Sequence, residues 1–157
     1  MLPRFVTALL LTLPALAPAA VTVVHVWPTQ RSADSFRRIS EYVDGTENSG
    51  RETVLRTRPE ARDGCYFLTR TKADAPVAGA TLLLEVVLPG SPEVHTYPFS
   101  VDVPAGRRVF QVGVTGTDWP DTQTRPAAWR VTIRSADGAL LADSPSFLWS
   151  VPAPKAN

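Results

Sequence analysis

The chain reads as an all-β protein, an antiparallel β-sandwich with one short helix near the start of its mature part. Three observations predict this. Segments of the second half alternate apolar and polar residues with a period of two. Pro89-Gly90, Pro104-Ala105-Gly106 and Asp137-Gly138 fall between those segments, where turns need a fixed or a positive φ. The run Val21-Thr22-Val23-Val24-His25-Val26-Trp27 is rich in β-branched residues, which prefer a pleated strand to a helix. A closed barrel would satisfy the same pattern.

Taken in order, residues 21–27 form the first strand. From Arg31 to Gly64 the rhythm breaks. Phe36, Ile39, Tyr42 and Val43 recur at three-to-four spacing, with Ser32 or Asp34 as N-cap and Gly45 as stop, which predicts a short helix. Thr53 to Arg58 is expected to be an edge strand and Cys65 to Thr71 a further strand. Thr81 to Leu88 is more uniformly apolar and so is placed centrally, covered on both faces. Tyr97, Phe99, Val101 and Val103 share one face of a strand, with Pro98, Ser100 and Asp102 on the other. Arg108, Phe110, Val112 and Val114 alternate in the next. Trp129, Val131 and Ile133 face a core opposite Arg130, Thr132 and Arg134, and Ser135–Gly138 closes a hairpin onto Ala139–Ala142. Phe147, Trp149 and Val151 repeat the period of two as a last strand. Trp27, Trp129 and Trp149 fall on alternating positions and are expected in the core, and 152–157 is expected to be a disordered tail.

The amino terminus has the form of a secretory signal. Arg4 leads into an apolar run from Phe5 to Leu16 and then into Ala15-Leu16-Ala17-Pro18-Ala19-Ala20. Cleavage is expected after Ala19, leaving one sandwich domain over 20–151 in the periplasm or outside the cell. The rival reading is an uncleaved membrane anchor, since no fully charged side chain occurs between Phe5 and Trp27. Pro14 and Pro18 argue against it, because each removes a helical hydrogen bond.

Removing the signal leaves about 137 residues, the size of one domain, able to hold a core without staples. Cys65 is the only cysteine, so no intramolecular disulfide forms. It reads as a small buried hydrophobe, with an intermolecular bridge or a reactive thiol as the other possibilities. With 16 basic and 15 acidic residues, the charge lacks the footprint of a nucleic-acid binder.

Few residues point to chemistry. No G-x-S-x-G elbow accompanies His25 or His95, and pairing of Cys65 with a histidine is the one nucleophile–base combination left open. No H-E-x-x-H, C-x-x-C or cofactor motif is present, and Gly113-Val114-Thr115-Gly116 is too short for a phosphate cradle. Asp118 and Asp121 flank Trp119-Pro120 in a predicted loop. Loop carboxylates can hold calcium, although solvated turn residues are the ordinary case. Trp119 itself, beside hydroxyl and acidic groups, suits a sugar ring or a protein partner; the competing reading is a plug folded over the end of the sandwich. Arg56 and Arg58, from the series Arg51, Arg56, Arg58, Arg62 and Arg70, would share a strand face and suit a carboxylate or phosphate. Nearby Glu and Asp residues make a mutually neutralising surface the simpler account.

The segment from Ala128-Trp129-Arg130-Val131-Thr132-Ile133 through Asp137-Gly138 to Leu140-Leu141 and Phe147 resembles immunoglobulin-like sandwich modules of exported bacterial proteins. In those, a tryptophan-led strand, an Asp-Gly hairpin and an aromatic strand end the domain. The stretch Ser35-Phe36-Arg37-Arg38-Ile39-Ser40-Glu41-Tyr42, with Gly64-Cys65-Tyr66-Phe67, is similar to the signature of a family of such proteins. The resemblance implies a fold and a compartment and brings no activity and no functional residues. The expectation is a non-enzymatic module of the cell envelope that binds another envelope protein or serves as a structural subunit. Carbohydrate binding through Trp119 is the second reading, and a hydrolase with a dispersed site the third.

Overall fold

The structure, a computed structural model, describes residues 19–36 and 52–150. The expected signal segment, the expected helix beyond Phe36 and the expected tail lie outside the described residues. Among the described residues, eight strands form two four-stranded sheets. β1 (Val21–Arg31), β3 (Gly64–Ala73), β6 (Gly106–Thr115) and β2 (Thr53–Arg56) make the first, in the order β1-β3-β6-β2. β4 (Val77–Val87), β5 (Val94–Val103), β7 (Ala128–Arg134) and β8 (Leu140–Pro145) make the second, in the order β5-β4-β7-β8. All pairings are antiparallel except β2 with β6, which run parallel.

The core lies between the sheets. Phe67, Phe110, Val112 and Val114 face Leu82, Leu84, Val131 and Ile133, and all eight are fully buried. The alternation seen in the sequence is the pleat of these strands: Tyr97 to Val103 on β5 and Trp129 to Ile133 on β7 turn their apolar residues inward. The Ser135–Gly138 hairpin closes as expected. Gly138 has φ 88°, a left-handed conformation that a side chain disfavours, and its N–H donates to the Ser135 carbonyl at 2.9 Å.

Four expectations are corrected. β4 is central, yet only Ala80, Leu82, Leu84 and Val86 are buried; Thr81, Leu83, Glu85 and Val87 are half-buried on the outer face. The edge strand β2 ends at Arg56 and not at Arg58. Phe147 to Ser150 is not a strand, and Val151 lies outside the described residues. β7 begins at Ala128 and offers nothing to pair with beyond Ser146, so the chain turns into one helical turn, α1 (Phe147–Ser150), with Ser150 N–H donating to the Ser146 carbonyl. Trp149 is therefore half-exposed rather than core.

Trp27 is the fourth. β1 carries a bulge between Val23 and His25. One extra residue exchanges the two faces of everything that follows. Val26 points inward at 5% exposure, and Trp27 is turned onto the outer face at 40%. Trp129 keeps its inward position and meets the Phe67 ring edge-on at 6.3 Å between centroids.

Candidate functional site

The outer face of the first sheet divides into two halves. At one end Tyr66 on β3 is wholly buried although it points away from the core, because Phe36 covers it with ring centroids 4.6 Å apart. The Tyr66 hydroxyl donates to the Arg62 carbonyl at 2.8 Å and accepts from Arg56 Nε at 2.9 Å. The guanidinium groups of Arg31 and Arg56 lie over the Phe36 ring, 4.1 and 5.0 Å from its centroid. Gln111 accepts from Arg31 and donates to Glu52, joining β1, β6 and the start of β2. This half is closed by its own contacts.

The other half is cationic among the described residues. Lys72 on β3 and Arg107 on β6 are register partners, directly opposite each other on an exposed face. Arg70, two residues along β3, projects on the same side. Together with Arg108, Val24 and Val109 they line a groove of about 650 Å³. Among the described residues lining it, Glu52 is the one carboxylate, and it is already engaged by Gln111. Beside the groove, the Arg70 guanidinium sits 4.9 Å from the Trp27 ring centroid. His25, opposite Arg70 in register, is tilted against Trp27 at 4.1 Å. Like charges directly opposite one another on a sheet are destabilising. Among the described residues, the face thus carries an excess of positive charge.

The residues singled out in the sequence are dispersed. Trp119 is 6% exposed and belongs to the core, so its ring closes the end of the sandwich and offers no face to a sugar. Its Nε1 is buried with no hydrogen-bond partner among the described residues. Asp118 is paired with Arg58 at 3.0 Å. Burial pushes the Asp118 carboxyl up, but hydrogen bonds from Arg58 and Thr57 and the Arg58 charge outweigh it and hold the carboxyl below its ordinary range. Asp121 accepts from the backbone N–H groups of Gln123 and Thr124, at 2.6 and 2.8 Å, and from the Thr124 hydroxyl at 2.9 Å. These bonds hold its carboxyl low as well. The two carboxylates serve separate local contacts, and among the described residues no group of three or more His, Cys, Asp or Glu could hold a metal ion. Arg56 and Arg58 do not share a face: Arg56 lies on the Phe36–Tyr66 cluster, while Arg58 turns to Asp118.

Cys65 is 1% exposed on the inner side of β3, and burial pushes its thiol up to about 12. His25 stands on the outer side, and its β3 partner Arg70 is five residues along from Cys65, so the two do not meet. His95 lies on β5 in the other sheet. No described helix is long and apolar enough to cross a membrane. Comparison of the chain with protein-family models, curated proteins and solved structures gives no match.

The groove was missed in the sequence because its residues come from three strands that only pairing brings together. Arg70 and Lys72, alternating with the buried Thr69 and Thr71, were the one local signal.

Proposed function

We propose that the protein is an exported, non-enzymatic β-sandwich of the bacterial cell envelope, and that it binds its partner through the outer face of the β1–β3–β6 sheet. The observation that carries this reading is the Lys72–Arg107 pair, two exposed cations held opposite one another by strand register. The strand order supports the immunoglobulin-like reading. With β2 set aside, β1-β3-β6 corresponds to A-B-E, and β5-β4-β7-β8 to C′-C-F-G, of such domains.

Immobilised mature chain should retain an envelope component that Lys72→Glu releases. Retention unchanged by that substitution, or none at all, would remove the reading. Export is checked on the chain isolated from its own cells: an intact mass beginning at Ala20 is expected, and an uncleaved cytoplasmic chain would contradict it.

A second contact is favoured by α1, where Phe147 is 82% and Leu148 59% exposed on one helical turn. Two large apolar side chains side by side suit a protein partner better than water. Changing both to serine should lower cross-linking to an envelope protein without lowering the melting temperature.

A further inference from the structure

We infer that cleavage after Ala19 seats the new amino terminus at one pole of the sandwich, where the Ala20 α-ammonium is held by Asp74 and Asp137. This rests on the cleaved-signal reading proposed above and says what the cut does to the fold.

Strand register builds the seat. β1 and β3 pair antiparallel, with Val21 opposite Ala73. The ladder runs one residue further, since the Asp74 N–H donates to the Ala20 carbonyl at 3.2 Å. In such a pair both residues turn their N–H and C=O groups toward each other. The Ala20 nitrogen is thereby directed at Asp74, and the exposed Asp74 side chain lies on the same side of the sheet as Ala20. Ala19, Asp74 and Asp137 line one groove of about 560 Å³, together with Val77, Ser135 and Leu141. Asp137 enters it from the β7–β8 turn. Hydrogen bonds, first that from the Ser135 hydroxyl, hold its carboxyl below the ordinary range, so it is ionised at neutral pH. No lysine, arginine or histidine is among the described residues lining the groove.

The positive charge appears only on cleavage. In the uncut chain the Ala20 nitrogen is a neutral amide. Hydrolysis of the Ala19–Ala20 bond by a peptidase consumes one water. It leaves a carboxylate on the departing segment and an α-ammonium on Ala20. Ala19 departs with that segment, so the space it holds in the groove opens to the terminus. The other charges on this side stand further along the ladder. Lys72 is opposite Thr22, and Arg107 is opposite Lys72. Arg134 on β7 is bonded to the Gly138 carbonyl at 3.1 Å. The charge nearest to Ala20 along the ladder is therefore the Asp74 carboxylate. The fold acquires an ion pair in the step that frees it from its signal, and the exported chain is more stable than its precursor.

The test is titration of the α-amine in the full chain isolated from its own cells, read from the pH dependence of acetylation of its N-terminal peptide. In urea the amine should titrate near about 8, and in the folded chain at least about half a pH unit higher, as a partly exposed ion pair requires. The folded value is the raised one, so the stabilisation is complete below about pH 7 and is lost as pH rises through that value. Selective acetylation of the α-amine should lower the melting temperature at neutral pH by about 1–3 °C. Asp74→Asn keeps the backbone bond to Ala20, and in it both effects should fall by about half or more. A merely structural role for Asp74 would leave the amine's folded value unchanged. A chain that begins at Ala20 and whose amine titrates alike folded and unfolded, or ignores both Asp74→Asn and Asp137→Asn, refutes the seat alone. A chain whose intact mass begins at another residue refutes the cleavage reading, and the seat with it.

Discussion

Tyr66 and Gly113 are register partners on β3 and β6, and the Tyr66 ring lies over the glycine so closely that a methyl group at Gly113 would stand 2.5 Å from Cε1. The ring fills the place of the missing side chain and is itself clamped by Phe36 and two hydroxyl hydrogen bonds. Gly113→Ala should therefore destabilise by about 1–3 kcal/mol, the cost of overpacking a filled site. In a Tyr66→Ala background the same change should cost far less. Urea unfolding of the two single variants and the double gives the coupling directly.

Thr132 offers the opposite case. It is 2% exposed on β7, and its hydroxyl is buried with no hydrogen-bond partner among the described residues. Thr132→Val keeps the shape and removes the desolvated group. A gain of about 1 kcal/mol is expected, read as a rise in melting temperature of roughly 2–4 °C. A fall would mean that the hydroxyl is satisfied.

The Cys65 thiol is held protonated up to about 12, chiefly by burial, against the opposing Arg125 charge and a backbone hydrogen bond from Thr29. An unfolded thiol ionises near ~8.5. The folded state therefore keeps a proton that the unfolded state loses, and stability falls as pH rises between those values. Burial and the Asp118 charge also raise Tyr97, so it contributes in the same direction at higher pH. Cys65→Ala should flatten the first part of the alkaline slope of the urea midpoint and leave the Tyr97 part. In the folded wild type, modification by a thiol reagent should proceed only as fast as the sandwich opens.

At the acid end Asp118 has the reverse sign. Its carboxyl is held low in the folded state, so the unfolded chain takes up a proton first. The contribution is complete above about pH 5 and disappears as pH falls through the folded value. Asp143, held low chiefly by its hydrogen bond from Arg130 at 2.8 Å, acts likewise. Thermal unfolding of Asp118→Asn should lose less stability than wild type on acidification. The difference at neutral pH should be small, because Arg58 is half-exposed and solvent screens the pair.

What the sequence showed and what it hid divide along one physical line. Period-two patterns report which side of a strand meets the core, so β5, β7 and the Asp137-Gly138 hairpin were legible residue by residue. They say nothing of an inserted residue, and the bulge after Val23 moved Trp27 from the core to the surface. Nor do they separate a short strand from one turn of helix, which is why Phe147 and Trp149 were misplaced. Trp119 was legible in type but open in role, and only its burial decided that it closes the sandwich end. Lys72 and Arg107 lie far apart along the chain, and nothing local marks them as opposite each other.

The route of the chain has a mechanical consequence. Ala19 stands beside the Ser135–Asp137 turn, at one pole, while Ser146 is bonded to Trp129 at the other, with the length of β7 between them. Tension applied between Val21 and Ser150 thus runs along the strands. It loads the β1–β3 ladder in shear, so that its hydrogen bonds share the force and do not open one at a time like a zipper.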